Sequence, residues 1–241
     1  MERSRVRRFG VRAGVCALGC VSLFGGSRVD AAPIGNAIEL DATSELPGVV
    51  IFPARVPGAR PITVLLHGMC GDAARACSHF AEQVTQTSNL VCPRASARCQ
   101  GGGASWPDKG VAEAVEAAVM RAKSALPEVD ETHGRTLIGY SMGAFRAVNI
   151  AQASAGWYPR VMLIGAKVFL DQARLAQNGT ERVLLCAGSW DMMHDPMQRE
   201  AERVRRAGFQ ARFLDLGPVG HAFTPSFAEY LTQALSWLSG T

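Results

Sequence analysis

"LIGYSMGAF" (residues 137–145) places one serine, Ser141, between Gly139 and Gly143 where an apolar run gives way to a helical pattern. A strand that turns sharply into a helix holds a serine at the turn with its hydroxyl exposed above a sheet. Glycines on either side remove side chains that would collide with the neighbouring strand and helix. G-x-S-x-G alone is weak in a chain with 25 glycines, and an ordinary Gly-rich connection fits the same letters. Its position between an apolar run and a helical pattern gives it weight.

Outward from that stretch, short apolar runs suited to buried strands recur at 48–53, 62–68, 89–93, 135–141, 160–166, 182–188 and 210–216. Helical patterns lie at 109–126, 142–154, 195–208 and 225–240, with Pro196 and Gly208 near the ends of the third. Strands alternating with helices imply an α/β protein with a mostly parallel sheet covered on both faces. Reactive groups in such sheets gather at the carboxyl ends of the strands. Four loops in those places, 67–71, 139–143, 188–195 and 217–223, carry the chemistry-bearing residues.

A serine hydroxyl needs a base, and imidazole is the usual one. His221, in "GPVGHAFTP" after the last strand, is placed best; a hydrogen-bonded turn histidine is the alternative. His67 is expected to hold its own loop, His133 to face solvent, and His79 and His194 have no evident task. An acid must fix the imidazole's tautomer. Asp191 in "GSWD" is favoured, with Asp195 in reserve because it also suits an N-cap before Pro196. Backbone N–H groups of Met69, in "HGMCG", and of Met142, at a helix start, could serve a developing oxyanion. Trp106, Trp190 and Phe223 are candidates to line a pocket, although Trp106 could equally pack on the domain.

Through "HGMCG", "GYSMG", "GSWD" and "GHAF" the chain resembles the α/β-hydrolase family over residues 47–240. The likeness is to small esterase and dienelactone-hydrolase-like members without a large cap. It implies a three-layer fold with helices on both faces of the sheet, Ser141 as nucleophile, His221 as base and Asp191 as acid. It also implies Met69 and Met142 at the oxyanion hole, while the absence of any GxxxxGKS, GxGxxG or HExxH motif leaves no cofactor or metal expected. Serine at 141 departs from the dienelactone hydrolases proper, which use cysteine. The implied activity is hydrolysis of a small-molecule carboxylic ester. A peptidase on short peptides and a non-catalytic binding protein remain alternatives.

The amino terminus reads as an export signal. Basic "MERSRVRRFGVR" precedes the uncharged run "AGVCALGCVSLF" and then "RVDAAP", with Val29 and Ala31 suiting cleavage after Ala31. The run is shorter than the roughly 20 apolar residues that span a bilayer. A signal peptide over 1–31 and a hydrolase domain over 33–241 are therefore expected, in a periplasmic or secreted protein. Residues 1–31 hold six arginines against Glu2 and Asp30, and the remainder has 19 basic and 19 acidic residues. That neutrality gives no case for nucleic acid or an anionic membrane as partner.

Export favours oxidised cysteines. Cys70, Cys77, Cys92 and Cys99 form two pairs with equal gaps, and local bonds Cys70–Cys77 and Cys92–Cys99 are expected. Rings of that size would contribute roughly 2.5 kcal/mol each in the chain-entropy model. Zinc with His67 and His79 is the rival, though no tight Cys-x-x-Cys pair is present. Cys186, in "RVLLCAG", suits a buried strand position.

Overall fold

Alternating burial shapes the central sheet. In the segment Arg182–Ala187, Val183, Leu185 and Ala187 face one layer of helices while Leu184 and Cys186 face the other, as the two-residue period of a strand dictates. The computed structural model describes residues 37–154 and 157–240. The expected signal peptide at 1–31 lies outside them.

In chain order the elements are β1 (Ile38–Leu40), β2 (Val49–Phe52), β3 (Ile62–Leu66), α1 (Ala73–Val84), β4 (Asn89–Pro93), β5 (Ala97–Arg98) and β6 (Ala104–Ser105). There follow α2 (Val111–Ala125), β7 (Thr136–Tyr140), α3 (Met142–Ala151), β8 (Arg160–Ile164), α4 (Gln172–Gln177), β9 (Arg182–Ala187), α5 (His194–Arg206), β10 (Gln210–Asp215) and α6 (Phe227–Ser239). Eight strands form one sheet in the order β1-β2-β4-β3-β7-β8-β9-β10. β2 runs antiparallel to both its neighbours, and from β4 to β10 every pairing is parallel. The seven apolar runs of the sequence are β2, β3, β4, β7, β8, β9 and β10. Helices α2, α3, α4 and α5 cover one face, α1 and α6 the other.

Register aligns the strand ends. Leu66 of β3 stands beside Gly139 of β7, Gly139 beside Leu163 of β8, and Leu163 beside Leu185 of β9. The loops that follow these strands therefore leave the sheet at one edge, which brings four sequence-distant segments together.

Helix α1 carries its buried residues Ala73, Cys77, Phe80, Ala81 and Val84 on one stripe, and Asp72 caps it by accepting from the Arg75 N–H at 2.8 Å. That stripe corrects the expected disulfides. Cys77 faces the sheet and is bonded to Cys92 of β4, both fully buried, while Cys70 in the preceding loop is bonded to Cys99 beside β5. Cα separations of 5.7 and 6.4 Å suit such bonds. The helix beginning at Ala73 buries Cys77 against the sheet, where it meets Cys92 of β4, and Cys99 meets Cys70 instead, so the expected local pairs are replaced by these two. In the chain-entropy model the longer loops raise each contribution to about 3–4 kcal/mol. Cys186 is free and buried, and burial pushes its thiol pKa up, which keeps it unreactive. Among the described residues no His/Cys/Asp/Glu group could hold a metal ion.

Candidate active site

Ser141 links β7 to α3 with φ 54° and ψ −118°, a conformation L-residues rarely adopt. Packing leaves no alternative. A Cβ on Gly139 would stand 2.5 Å from the Ala144 Cα, and one on Gly143 would stand 2.1 Å from the Leu66 carbonyl oxygen. The helix thus begins in direct contact with the end of β3, and the serine must occupy the tight turn between. Its own N–H donates to the Ile164 carbonyl at 2.8 Å, fastening the turn to β8.

The His221 imidazole lies at hydrogen-bond distance from both proposed partners. Nε2 is 2.9 Å from Ser141 Oγ, and Nδ1 is 2.7 Å from Asp191 Oδ2. Asp191 is buried, and its other oxygen accepts from the Met193 N–H at 2.9 Å. Its loop is laced to the loop of His221: Ser189 N–H donates to Gly217 O at 2.8 Å, and Trp190 N–H to Val219 O at 3.1 Å. Gly165, with φ 62°, makes room for the pair; a Cβ there would come within 2.8 Å of the His221 ring. An imidazole so held, with Nδ1–H directed at a carboxylate, can take the hydroxyl proton on Nε2.

Tyr140, which no sequence signal marked, braces the histidine. Its ring stacks on His221 at 5.1 Å between centroids, and its hydroxyl donates to the His221 carbonyl at 2.9 Å. Burial, aided by the Asp191 charge, pushes its pKa up to about 12, so it remains a donor.

Asp195, the reserve acid, lies away from this relay. It sits in the first turn of α5, exposed, and its carboxylate pKa is held down first by a hydrogen bond from His194 at 3.0 Å. The helix begins at His194, so Asp195 is not its N-cap. His194 also approaches Asp215 at 3.4 Å.

The loop 67–71 lies against the serine. A Cβ on Gly68 would stand 3.3 Å from the Ser141 Cβ. Among the described residues the N–H groups of Met69 and Met142 have no acceptor, which leaves both able to donate to an oxyanion. His67 holds the loop as expected. Its Nδ1–H donates to the Gly68 carbonyl at 2.8 Å, and Nε2 accepts from the Ala95 N–H at 3.4 Å. Burial lowers the His67 pKa, which suits this neutral form.

Of the three pocket candidates, Trp106 is packed on the domain: it is buried, and its Nε1–H donates to the His67 carbonyl at 2.8 Å. Phe223 packs between Tyr140, at 4.7 Å, and Phe227, at 4.4 Å. Trp190 points to solvent. With exposures of 66–81%, Met69, Phe169, Trp190 and Met192 are the four most exposed large apolar residues among those described. Met69, Trp190 and Met192 lie in loops at the edge that holds Ser141, whereas Phe169 packs against α5, its ring centre 4.5 Å from the Arg203 guanidinium carbon. Two clefts, of about 450 Å³ beside Lys167 and Arg199 and of about 320 Å³ beside Glu116 and Tyr158, do not include the serine.

No protein-family model matches the chain, and no curated protein matches its sequence. Solved structures do match. A ferulic acid esterase superposes with TM-score 0.66 at 14% identity, over 85% of this chain and 98% of that one. The fluorophosphonate-binding serine hydrolase FphF of Staphylococcus aureus gives 0.64 at 13%, over 84% and 98%. Esterase PE8 gives 0.59 at 19%, over 78% and 97%. The fold is that of the α/β-hydrolases. As in a cap-less α/β-hydrolase, α4 spans only six residues between β8 and β9.

Proposed function

We propose that the protein is an exported serine hydrolase that cleaves a carboxylic ester through an acyl-enzyme on Ser141. The observation that carries this reading is the continuous relay from Ser141 Oγ through His221 to Asp191, with steps of 2.9 and 2.7 Å. In the reaction Oγ attacks the ester carbonyl carbon while His221 Nε2 accepts its proton. Asp191 favours the imidazolium so formed. The negative oxygen of the tetrahedral intermediate accepts hydrogen bonds from the Met69 and Met142 N–H groups. Collapse breaks the bond to the alcohol oxygen, which leaves with the proton from His221. Water then attacks the acyl-enzyme, again deprotonated by His221, and releases the carboxylic acid.

The exposed apolar residues Met69, Trp190 and Met192 in the loops around the serine support a substrate with an apolar acyl or alcohol group. Two disulfides are consistent with export, and among the described residues no helix is long and apolar enough to cross a membrane. Ser141→Ala is the decisive variant. It is expected to remain folded, to lose turnover of a short-chain aryl ester and to lose labelling by a fluorophosphonate. Retained turnover would remove Ser141 from the mechanism. A panel of matched esters and amides then fixes the bond type, with amide preference excluding the esterase assignment.

A further inference from the structure

The two donors assigned to the oxyanion are secured very differently. Met142 begins a helix wedged against β3 through Gly143. Met69 lies in a loop and is 66% exposed, so packing of its side chain does little to locate its N–H. What grips the loop is the small hairpin of β5 and β6. Cys70, next to Met69, is bonded to Cys99, and the Cys70 N–H donates to Ser105 Oγ at 3.0 Å. Gly71 pairs with Ala104, whose N–H donates to the Gly71 carbonyl at 3.0 Å. Trp106 reaches back to the His67 carbonyl at 2.8 Å. The hairpin and the loop touch backbone to backbone, since a Cβ on Gly103 would lie 2.2 Å from the Cys70 carbonyl oxygen. Cys70 itself is held at φ 51°, and with Ser141 it is one of two non-glycine residues at positive φ among those described. Surroundings must enforce such a conformation.

We propose, resting on the ester-hydrolase reading above, that the Cys70–Cys99 disulfide is a positioning device for catalysis. It holds the 67–71 loop on the hairpin so that the Met69 N–H points at the oxyanion. Cys70, Cys99 and Ser105 are positioning residues that act through Met69. The Cys77–Cys92 disulfide, buried between α1 and β4, stabilises the fold and has no part in this. The two bonds differ in function although they belong to the same four cysteines.

The test compares the wild-type chain with two double variants, Cys70→Ser with Cys99→Ser and Cys77→Ser with Cys92→Ser. Circular dichroism first establishes folding. Aryl-ester kinetics and amide hydrogen exchange of segment 67–71 are then read in all three. Loss of Cys70–Cys99 is expected to lower kcat about 10- to 100-fold, as displacement of one oxyanion donor does, with KM changed by less than about threefold. Exchange at 67–71 is expected to accelerate. Loss of Cys77–Cys92 is expected to lower the melting temperature and leave kcat and that exchange near wild type. Unchanged kcat and exchange in the first variant, or equal losses in both, overturn the proposal. A wild type without Ser141-dependent turnover defeats the hydrolase reading separately. In that case unchanged exchange at 67–71 in the first variant overturns the mechanical claim, and faster exchange supports it. If the first variant does not fold, the folded wild type is instead treated with a mild reductant, which reaches the exposed Cys70 and spares the fully buried Cys77 and Cys92, with loss of the Cys70–Cys99 bond alone established by mass. The same fall in kcat is expected there, and wild-type kcat refutes the assignment.

Discussion

At Ser141 the backbone accepts an unfavourable conformation because two neighbours have no side chain. Gly143→Ala would drive a Cβ to 2.1 Å from the Leu66 carbonyl, a backbone atom of a central strand that cannot yield. We expect it to cost about 3 kcal/mol in urea unfolding, whereas Gly101→Ala, with nothing within 4 Å, should change stability by less than about 0.5 kcal/mol. Tyr140→Phe removes only the hydroxyl that donates to the His221 carbonyl. A net hydrogen bond is worth about 1 kcal/mol, so kcat should fall by roughly fivefold with the fold unchanged. Steady-state kinetics beside a thermal melt check this. The serine and its glycines could be recognised in the sequence because a local turn dictates them. Tyr140 could not, since its contact with His221 spans 81 positions.

At the scale of elements, α5 and the loop after β8 are joined through Glu200. Its buried carboxylate accepts from the Leu170 N–H at 2.6 Å and takes two hydrogen bonds from Arg203, at 2.7 and 2.8 Å. Glu200→Ala leaves the Leu170 N–H without its acceptor, while the Arg203 side chain, 37% exposed, keeps its hydrogen bond to the Leu170 carbonyl at 2.6 Å and its access to water. The expected loss is therefore about 2 kcal/mol, below the 3–5 kcal/mol of a fully buried broken pair, measured by denaturant unfolding. Helix α1 is a long helix absent from the expected set, although its buried Ala73, Cys77, Phe80, Ala81 and Val84 recur at helical spacing, so its period was present in the sequence. Missing that helix is what misdirected the cysteine pairing, because a helix decides which way Cys77 faces. The three-residue β1 and the two-residue strands β5 and β6 are too short to carry a period at all.

Across the whole molecule, histidines outside the relay set opposing pH responses. Burial lowers the pKa of His67, and burial followed by the Arg75 charge lowers that of His79. Both bind protons more readily when unfolded, so stability falls as pH drops through the ordinary histidine range near 6.5. His194 runs the other way. Its hydrogen bond to Asp195, with Asp215 nearby, raises its pKa, so its contribution is full below about 6.5 and fades as pH rises through the raised value. Melting temperatures between pH 7.5 and 5.5 should therefore decline less steeply in His67→Gln and more steeply in His194→Gln. On the rim, Trp190→Ala is expected to raise KM for a long-acyl ester several-fold with kcat nearly unchanged, the sign of lost apolar binding. Short-acyl kinetics serve as the comparison.

The sequence by itself determined the seven principal strands, the turn at Ser141 and the order in which serine, aspartate and histidine follow one another. Each of these is written in a local period or a local steric need, and alternate burial along a strand or a glycine at a tight turn is visible within a few residues. Only the tertiary structure decided which cysteines meet, that a two-strand hairpin grips the loop of Met69, and that Tyr140 braces His221. Those contacts depend on strand register across the sheet, where Leu66, Gly139, Leu163 and Leu185 come into line. Register is set by the packing of both faces at once, and no single segment contains it.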